Sequence, residues 1–186
     1  WCDGAAFAPR NTEAQDLAAI ADGVHIEAFA RSPLSDTNQF KSEANWRRDI
    51  DMLAELSKDN RIVLLSTRVD AVDAGPELTR QWLNFSVASY LLGKNGARTY
   101  FQFDPGSSEY SADPVLSAPL GAPVEGYVKL DSGLYQRKFE RGMVIVNPTA
   151  DSKKTAIDAG YRTLSGNPAD VSVTLSARTG LILLKQ

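Results

Sequence analysis

Arg61-Ile62-Val63-Leu64-Leu65-Ser66-Thr67 is close to a continuous apolar run. A run of this length, rich in branched aliphatics, reads as a strand covered on both faces, the kind that parallel sheets contain. Lys58-Asp59-Asn60 precedes it as a stop signal. Before that, Trp46, Ile50, Leu53 and Leu56 recur at helical spacing, while Arg47, Arg48, Asp51 and Glu55 fall on the wet side. Working further outward, Val24–Phe29 is a short apolar strand after the Asp22-Gly23 break. It follows an expected helix at residues 12–21, with Thr12 and Gln15 spaced as a capping box and Ala14, Leu17 and Ala18 at helical intervals. Ser32-Pro33-Leu34-Ser35-Asp36 reads as a loop. In the other direction, Gly75-Pro76 opens a helix expected to run from Glu77 to Leu92, with Leu78, Trp82, Val87 and Leu91 inside and Gly93 as its cap. Thr99–Phe103 is the next strand. Helix and strand alternate three times, which predicts a parallel sheet, against the eight units of a closed barrel.

The rhythm changes after Asp104. Residues 105–123 are rich in Pro, Gly, Ser and Ala and read as a crossing loop or linker. Beyond them lie short strands separated by turns. Leu134–Phe139 and Met143–Asn147 flank Glu140-Arg141-Gly142 as a hairpin, Val171–Leu175 alternates, and Ala177-Arg178-Thr179-Gly180 turns the chain into Leu181–Leu184. The tail is an antiparallel region of about six strands.

Composition narrows the function. A 43% hydrophobic and 23% charged chain of 186 residues has enough apolar material for a core, so disorder is not expected. A net charge of −3 without a Lys/Arg cluster argues against nucleic acid as a partner. No apolar run approaches the length that spans a bilayer. The single cysteine, Cys2, forms no internal disulfide. One histidine, with no Cys-x-x-Cys pair, Gly-rich phosphate loop or Gly-x-Ser-x-Gly elbow, leaves no trace of a metal site, a cofactor or Ser-His-Asp catalysis.

In parallel α/β sheets, ligands gather at the carboxyl ends of the strands. Alternation places His25, Glu27 and Phe29 together on the first strand, Ser66, Arg68 and Asp70 on the second, and Tyr100, Gln102 and Asp104 on the third. Each strand thus delivers a carboxylate at the same end. Glycoside hydrolysis needs one acid that is protonated and one that is ionised. The candidate catalytic residues are therefore Glu27, Asp70 and Asp104, with Arg68, Tyr100, Gln102, Phe29 and His25 as substrate-binding candidates. Asp70 and Asp104 also stand beside turn-forming sequence, where Asp bonds local amides. Arg68 equally suits pairing with an acid, and a lone His25 suits a core position. Glu27, inside VHIEAFA, has no turn role and needs a partner. Trp46 and Trp82 lie on apolar helical stripes and read as core.

The run Asp22-Gly23-Val24-His25-Ile26-Glu27-Ala28-Phe29 resembles the D-G-V-x-x-E strand of hypothetical glycosidase families related to polygalactosaminidase-type (β/α)8 barrels. Gly133-Leu134-Tyr135-Gln136-Arg137-Lys138-Phe139 and Arg141-Gly142-Met143-Val144-Ile145-Val146-Asn147-Pro148 are similar to the Y-x-R-x-F-x-x-G-x-V-x-V-N-P signature with which such proteins leave the barrel. The closing Leu175-Ser176-Ala177-Arg178-Thr179-Gly180-Leu181 resembles their last hairpin. The resemblance implies an α/β fold: the C-terminal half of a (β/α)8 (TIM) barrel over residues 1–113, then a small antiparallel β-sandwich over 114–186. It implies a glycoside hydrolase, or a fragment of one, cleaving a polysaccharide or oligosaccharide, with Glu27 matching the family's strand-borne acid. It also implies an exported protein whose earlier barrel strands lie outside this stretch. The alternative is a non-catalytic carbohydrate-binding or interaction module.

Overall fold

The computed structural model describes residues 20–31, 36–58, 61–106, 110 and 112–186. The helix expected at 12–21 lies outside the described residues except for its last two positions, as do Cys2 and the loop residues 32–35. Three parallel strands, β1 (Gly23–Ile26), β2 (Ile62–Arg68) and β3 (Thr99–Asp104), form one sheet in that order. Helices α1 (Glu43–Leu56) and α2 (Ala71–Gly93) alternate with them. The arrangement is mixed α/β, and no closed barrel is formed among the described residues.

The strand at 61–67, expected to be covered on both faces, is covered on one of them by the described residues. Val63, Leu65 and Thr67 are buried, whereas Leu64 and Ser66 are only partly so. Both helices pack against the Val63 side, where Trp46, Ile50, Leu53, Leu83 and Val87 join Val24, Ile26, Val63 and Leu65 in one cluster. Burying an aliphatic side chain such as Ile50 or Leu53 contributes about 1.5–3 kcal/mol. Ser42 starts α1 by accepting a hydrogen bond from the Asn45 N–H (3.3 Å), satisfying one of the helix's unpaired amides.

In α2, Gly75 sits at φ 71°, ψ 169° and separates a first turn from the helix proper. Pro76, which has no N–H to offer, then occupies the first helical position. From Trp82 to Leu92 the helix is buried almost all round, because a sheet lies on each flank. Gly93 does not take the left-handed conformation of a capping glycine. It provides room instead: a Cβ there would stand 2.9 Å from the Ile50 carbonyl oxygen.

The C-terminal region is antiparallel. It comprises β4 (Val128–Lys129), β5 (Tyr135–Phe139), β6 (Gly142–Asn147), β7 (Lys153–Ala156), β8 (Tyr161–Thr163), β9 (Ser172–Leu175) and β10 (Thr179–Lys185). Five strands form one sheet in the order β4-β5-β6-β10-β8, and β7 pairs with β9 as a separate ribbon. Tyr135, Phe139, Val144, Val146 and Ile182 face α2 and share its apolar cluster. On the reverse face Leu134, Met143, Ile145 and Leu183 pack with Leu175 and Val173 of the ribbon. Every residue of β6 is buried as a result.

Residues 105–123, expected as a crossing loop or linker, include several described residues that pack into the core. Tyr110, Val115 and Leu120 are buried, and Asp113 caps a 3-10 turn (Pro114–Ser117) by accepting from the Val115 N–H at 3.0 Å. One apolar cluster therefore extends on both sides of residue 113.

The signature residues of the tail turn out to be architectural. Arg137 is buried and donates to the carbonyls of Leu91, Leu92 and Lys94 at the end of α2, to the Asn95 side chain and to the Glu125 carbonyl. Asn147 donates from Nδ2 to the carbonyls of Asp151, Leu175 and Ser176, while its Oδ1 accepts from the Thr149 N–H and hydroxyl. No helix among the described residues is long and apolar enough to cross a membrane.

Candidate active site

Among the described residues the helices cover one face of the three-stranded sheet, and the other face carries mostly polar side chains. Register sets their rows. His25 is level with Leu64 and Tyr100, Ser66 with Gln102, and Arg68 with Asp104. Glu27 follows Ile26 directly, and Ile26 is level with Leu65 and Phe101.

β1 ends at Ile26, earlier than the alternation suggests, and the chain turns at Glu27 and Ala28. The turn keeps Glu27 exposed, its carboxylate 3.7 Å from His25 Nδ1, with side-chain exposures of 59% and 28% respectively. It also sends Phe29 to the opposite side. Phe29 has no exposed surface and meets Phe101 edge-on at 6.1 Å, so the expectation that it stacks on a sugar ring is corrected: the ring belongs to the core. Tyr100 is 54% exposed on the open face, and Gln102 is exposed beside it.

At the carboxyl end of β2 and β3, Arg68 Nε lies 3.8 Å from Asp104 Oδ2. Asp104 Oδ1 accepts from the Gly106 N–H at 3.1 Å, the local turn bond that Asp commonly makes. Asp70 begins α2, its carbonyl accepting from the Ala74 N–H (2.9 Å). Its side chain lines a polar cleft of about 610 Å³ with Arg31, Asp36, Thr37, Asn38, Arg68 and Asp73. The open face thus brings together His25, Glu27, Arg68, Tyr100, Gln102 and Asp104; Asp70 stands in the adjoining cleft, and Phe29 is excluded.

Arg31, Lys41 and Asp49 were not singled out from the sequence. Arg31 donates to the Arg68 carbonyl at 2.7 Å and lies over the Trp82 ring, 5.7 Å from its centre. Burial pulls its guanidinium below the ordinary arginine range. Lys41 and Asp49 pair at 2.6 Å behind the Glu27 turn. The available signal was the position of Asp49, beside Ile50 and three residues after Trp46. An acid at the edge of a buried stripe has to find a partner. Among the described residues no group of three or more His, Cys, Asp or Glu side chains is arranged to hold a metal ion.

Fold and site together define a mixed α/β protein with acids at the carboxyl ends of its parallel strands. The chain belongs to hypothetical glycosyl hydrolase family 15, whose model matches residues 4–143. No curated protein sequence matches it. Among solved structures it is similar to pullulanase from Bacillus acidopullulyticus, at 12% identity and a TM-score of 0.41. That alignment covers 94% of this chain and 36% of the other, so this chain spans little more than a third of that protein.

Proposed function

We propose that the chain supplies the C-terminal half of a (β/α)8-barrel glycoside hydrolase related to the polygalactosaminidase type, acting on a polysaccharide. The observation that carries this reading is the delivery of one carboxylate at or just past the end of each of three successive parallel strands, in a member of a glycosyl hydrolase family. Glu27 is the acid/base or nucleophile and Asp104 the second carboxylate, while Asp70 and Arg68 bind sugar hydroxyls in the cleft. A protonated carboxyl gives its proton to the leaving glycosidic oxygen. The ionised partner attacks the anomeric carbon or takes a proton from the water that does so. Tyr100 offers a ring face to a sugar. Residues 1–113 carry the chemistry, and residues 114–186, read as a small β-sandwich, buttress it.

The test is Glu27→Gln in the full-length protein that carries the earlier barrel strands, assayed on 4-nitrophenyl glycosides and on polysaccharides by reducing-end release. Turnover is expected to fall by about 10²–10⁴-fold with the circular dichroism unchanged, because the side chain is exposed. Unchanged turnover sinks the reading. The Asp104–Gly106 turn bond favours a second, non-catalytic reading of that acid, which predicts polysaccharide binding without bond cleavage.

A further inference from the structure

The segment after Glu27 is held through its backbone. Four backbone groups in succession are bound: the Ala28 carbonyl accepts from Lys41 Nζ (3.0 Å), and the Phe29 N–H donates to the Ser66 carbonyl (3.2 Å). The Phe29 carbonyl accepts from the Thr67 hydroxyl (2.7 Å), and the Ala30 N–H donates to Asp49 Oδ2 (3.1 Å). β2 supplies the middle two partners. The outer two belong to one ion pair, since Lys41 Nζ lies 2.6 Å from that same Asp49 oxygen. Ala30 is fully buried and sits at φ 60°, a conformation that residues with a Cβ avoid unless the surroundings enforce it. The pair is mostly buried, with exposures of 20% and 17%, and burial pushes the Asp49 carboxyl up against the pull of Lys41. A charge pair kept in such a place carries a desolvation cost. What it does there is bind the turn on which Glu27 stands.

The C-terminal region reaches the same point. Arg178, at φ 52° in the turn between β9 and β10, donates from Nη1 to the Lys41 carbonyl (2.9 Å) and to the Pro148 carbonyl, and lies over the Phe40 ring. Gln81 of α2 fixes that turn by donating to the carbonyls of Ala177 and Arg178.

We propose that Lys41 and Asp49 are positioning residues that hold the Ala28–Ala30 turn, and with it Glu27, at the end of β1, and that Arg178 secures Lys41 from the C-terminal region. This rests on the reading of Glu27 as a reacting acid. The test uses the full chain as wild type, Lys41→Met, Lys41→Arg and Arg178→Ala. Hydrogen exchange of peptides covering residues 24–31 is measured beside that of peptides from β6 and β10. Loss of a charge-assisted bond is expected to speed exchange at residues 28–31 about tenfold or more in Lys41→Met, with β6 and β10 unaffected and Lys41→Arg restoring part of the protection. On 4-nitrophenyl glycosides, kcat per folded molecule is expected to fall about a hundredfold with KM unchanged. A pair that merely stabilises the fold would lower the Tm and leave kcat per folded molecule as it was. Unaltered exchange at 28–31 in folded Lys41→Met overturns the proposal. Should Lys41→Met fail to fold, Arg178→Ala decides: faster exchange confined to 28–31 supports it, and no change overturns it. A silent Glu27→Gln would sink the catalytic reading while leaving the exchange result standing, so the two failures are distinguishable.

Discussion

Arg137 Nη1 donates to the Leu92 carbonyl at 2.8 Å, so a side chain of the five-stranded sheet closes the last turn of the helix that lies on it. Terminal helix carbonyls have no partner within the helix, and one guanidinium satisfies three of them here or just beyond. Burial pulls the Arg137 guanidinium below the ordinary arginine range, yet it still forms these bonds. Arg137→Ala is expected to cost about 3 kcal/mol, seen as a Tm lower by about 6–12 °C for a chain of this size. Arg137→Lys should recover little, because an ammonium lacks the planar fork. A drop below about 2 °C for the alanine variant would mean that the helix end is held by other groups.

The same helix packs directly on the sheet at Gly180. A Cβ placed there would lie 2.2 Å from the Ala88 Cβ and 2.6 Å from the Asn84 carbonyl oxygen. Gly180→Ala must push β10 off α2, at an expected cost of about 1–3 kcal/mol. Ala88→Gly in the same chain should return part of that loss, although alone it weakens the helix by about 1 kcal/mol. Denaturant unfolding of the four combinations measures the coupling; additive effects would mean that the backbone oxygen sets the limit and not the facing methyl.

Stability should fall in acid through Glu43. Its carboxylate accepts from Lys129 Nζ at 2.6 Å and from the Tyr135 hydroxyl at 2.7 Å, and these partners hold it below the usual glutamate range. A carboxyl depressed in the folded state contributes stability that is fully present above its unfolded pKa, about 4.3, and is lost as pH falls through the folded value. Wild-type Tm should therefore drop more steeply between about pH 5 and 3 than that of Glu43→Gln. Parallel curves for the two proteins would show that the pair contributes nothing net.

How much of this could be read from the sequence depended on the range of the interaction. The α1 stripe of Trp46, Ile50 and Leu53 follows from local periodicity and the strands expected at 61–67 and 99–103 from short apolar runs, signals that one chain segment carries by itself. The exposed side of β2 does not, because Leu64 looks as apolar as Leu65 and only the placement of both helices on one face separates them. Phe29 was misplaced for a related reason: the alternation argument assumes that the strand continues, and it stops at Ile26. The tail signature was visible in the letters, yet its meaning lay in contacts across dozens of residues, such as Arg137 to Leu92 and Asn147 to Leu175. Likewise Lys41 gains its role from Ala28, Asp49 and Arg178, which no spacing rule connects.

On the proposed reading, Asp104 and Asp70 compete for the role of second carboxylate. Glu27 lies one residue beyond the row of Ile26, Leu65 and Phe101, and Asp104 three residues beyond it on the far strand. Both acids stand on the open face of the sheet, Asp104 beside Arg68, whereas Asp70 lines the adjoining cleft. Turnover of each variant is read by reducing-end release from polysaccharide. Asp104→Asn should abolish turnover about as fully as Glu27→Gln, whereas Asp70→Asn, in the cleft, should chiefly raise KM. An active Asp104→Asn beside a dead Asp70→Asn would move the second role to Asp70.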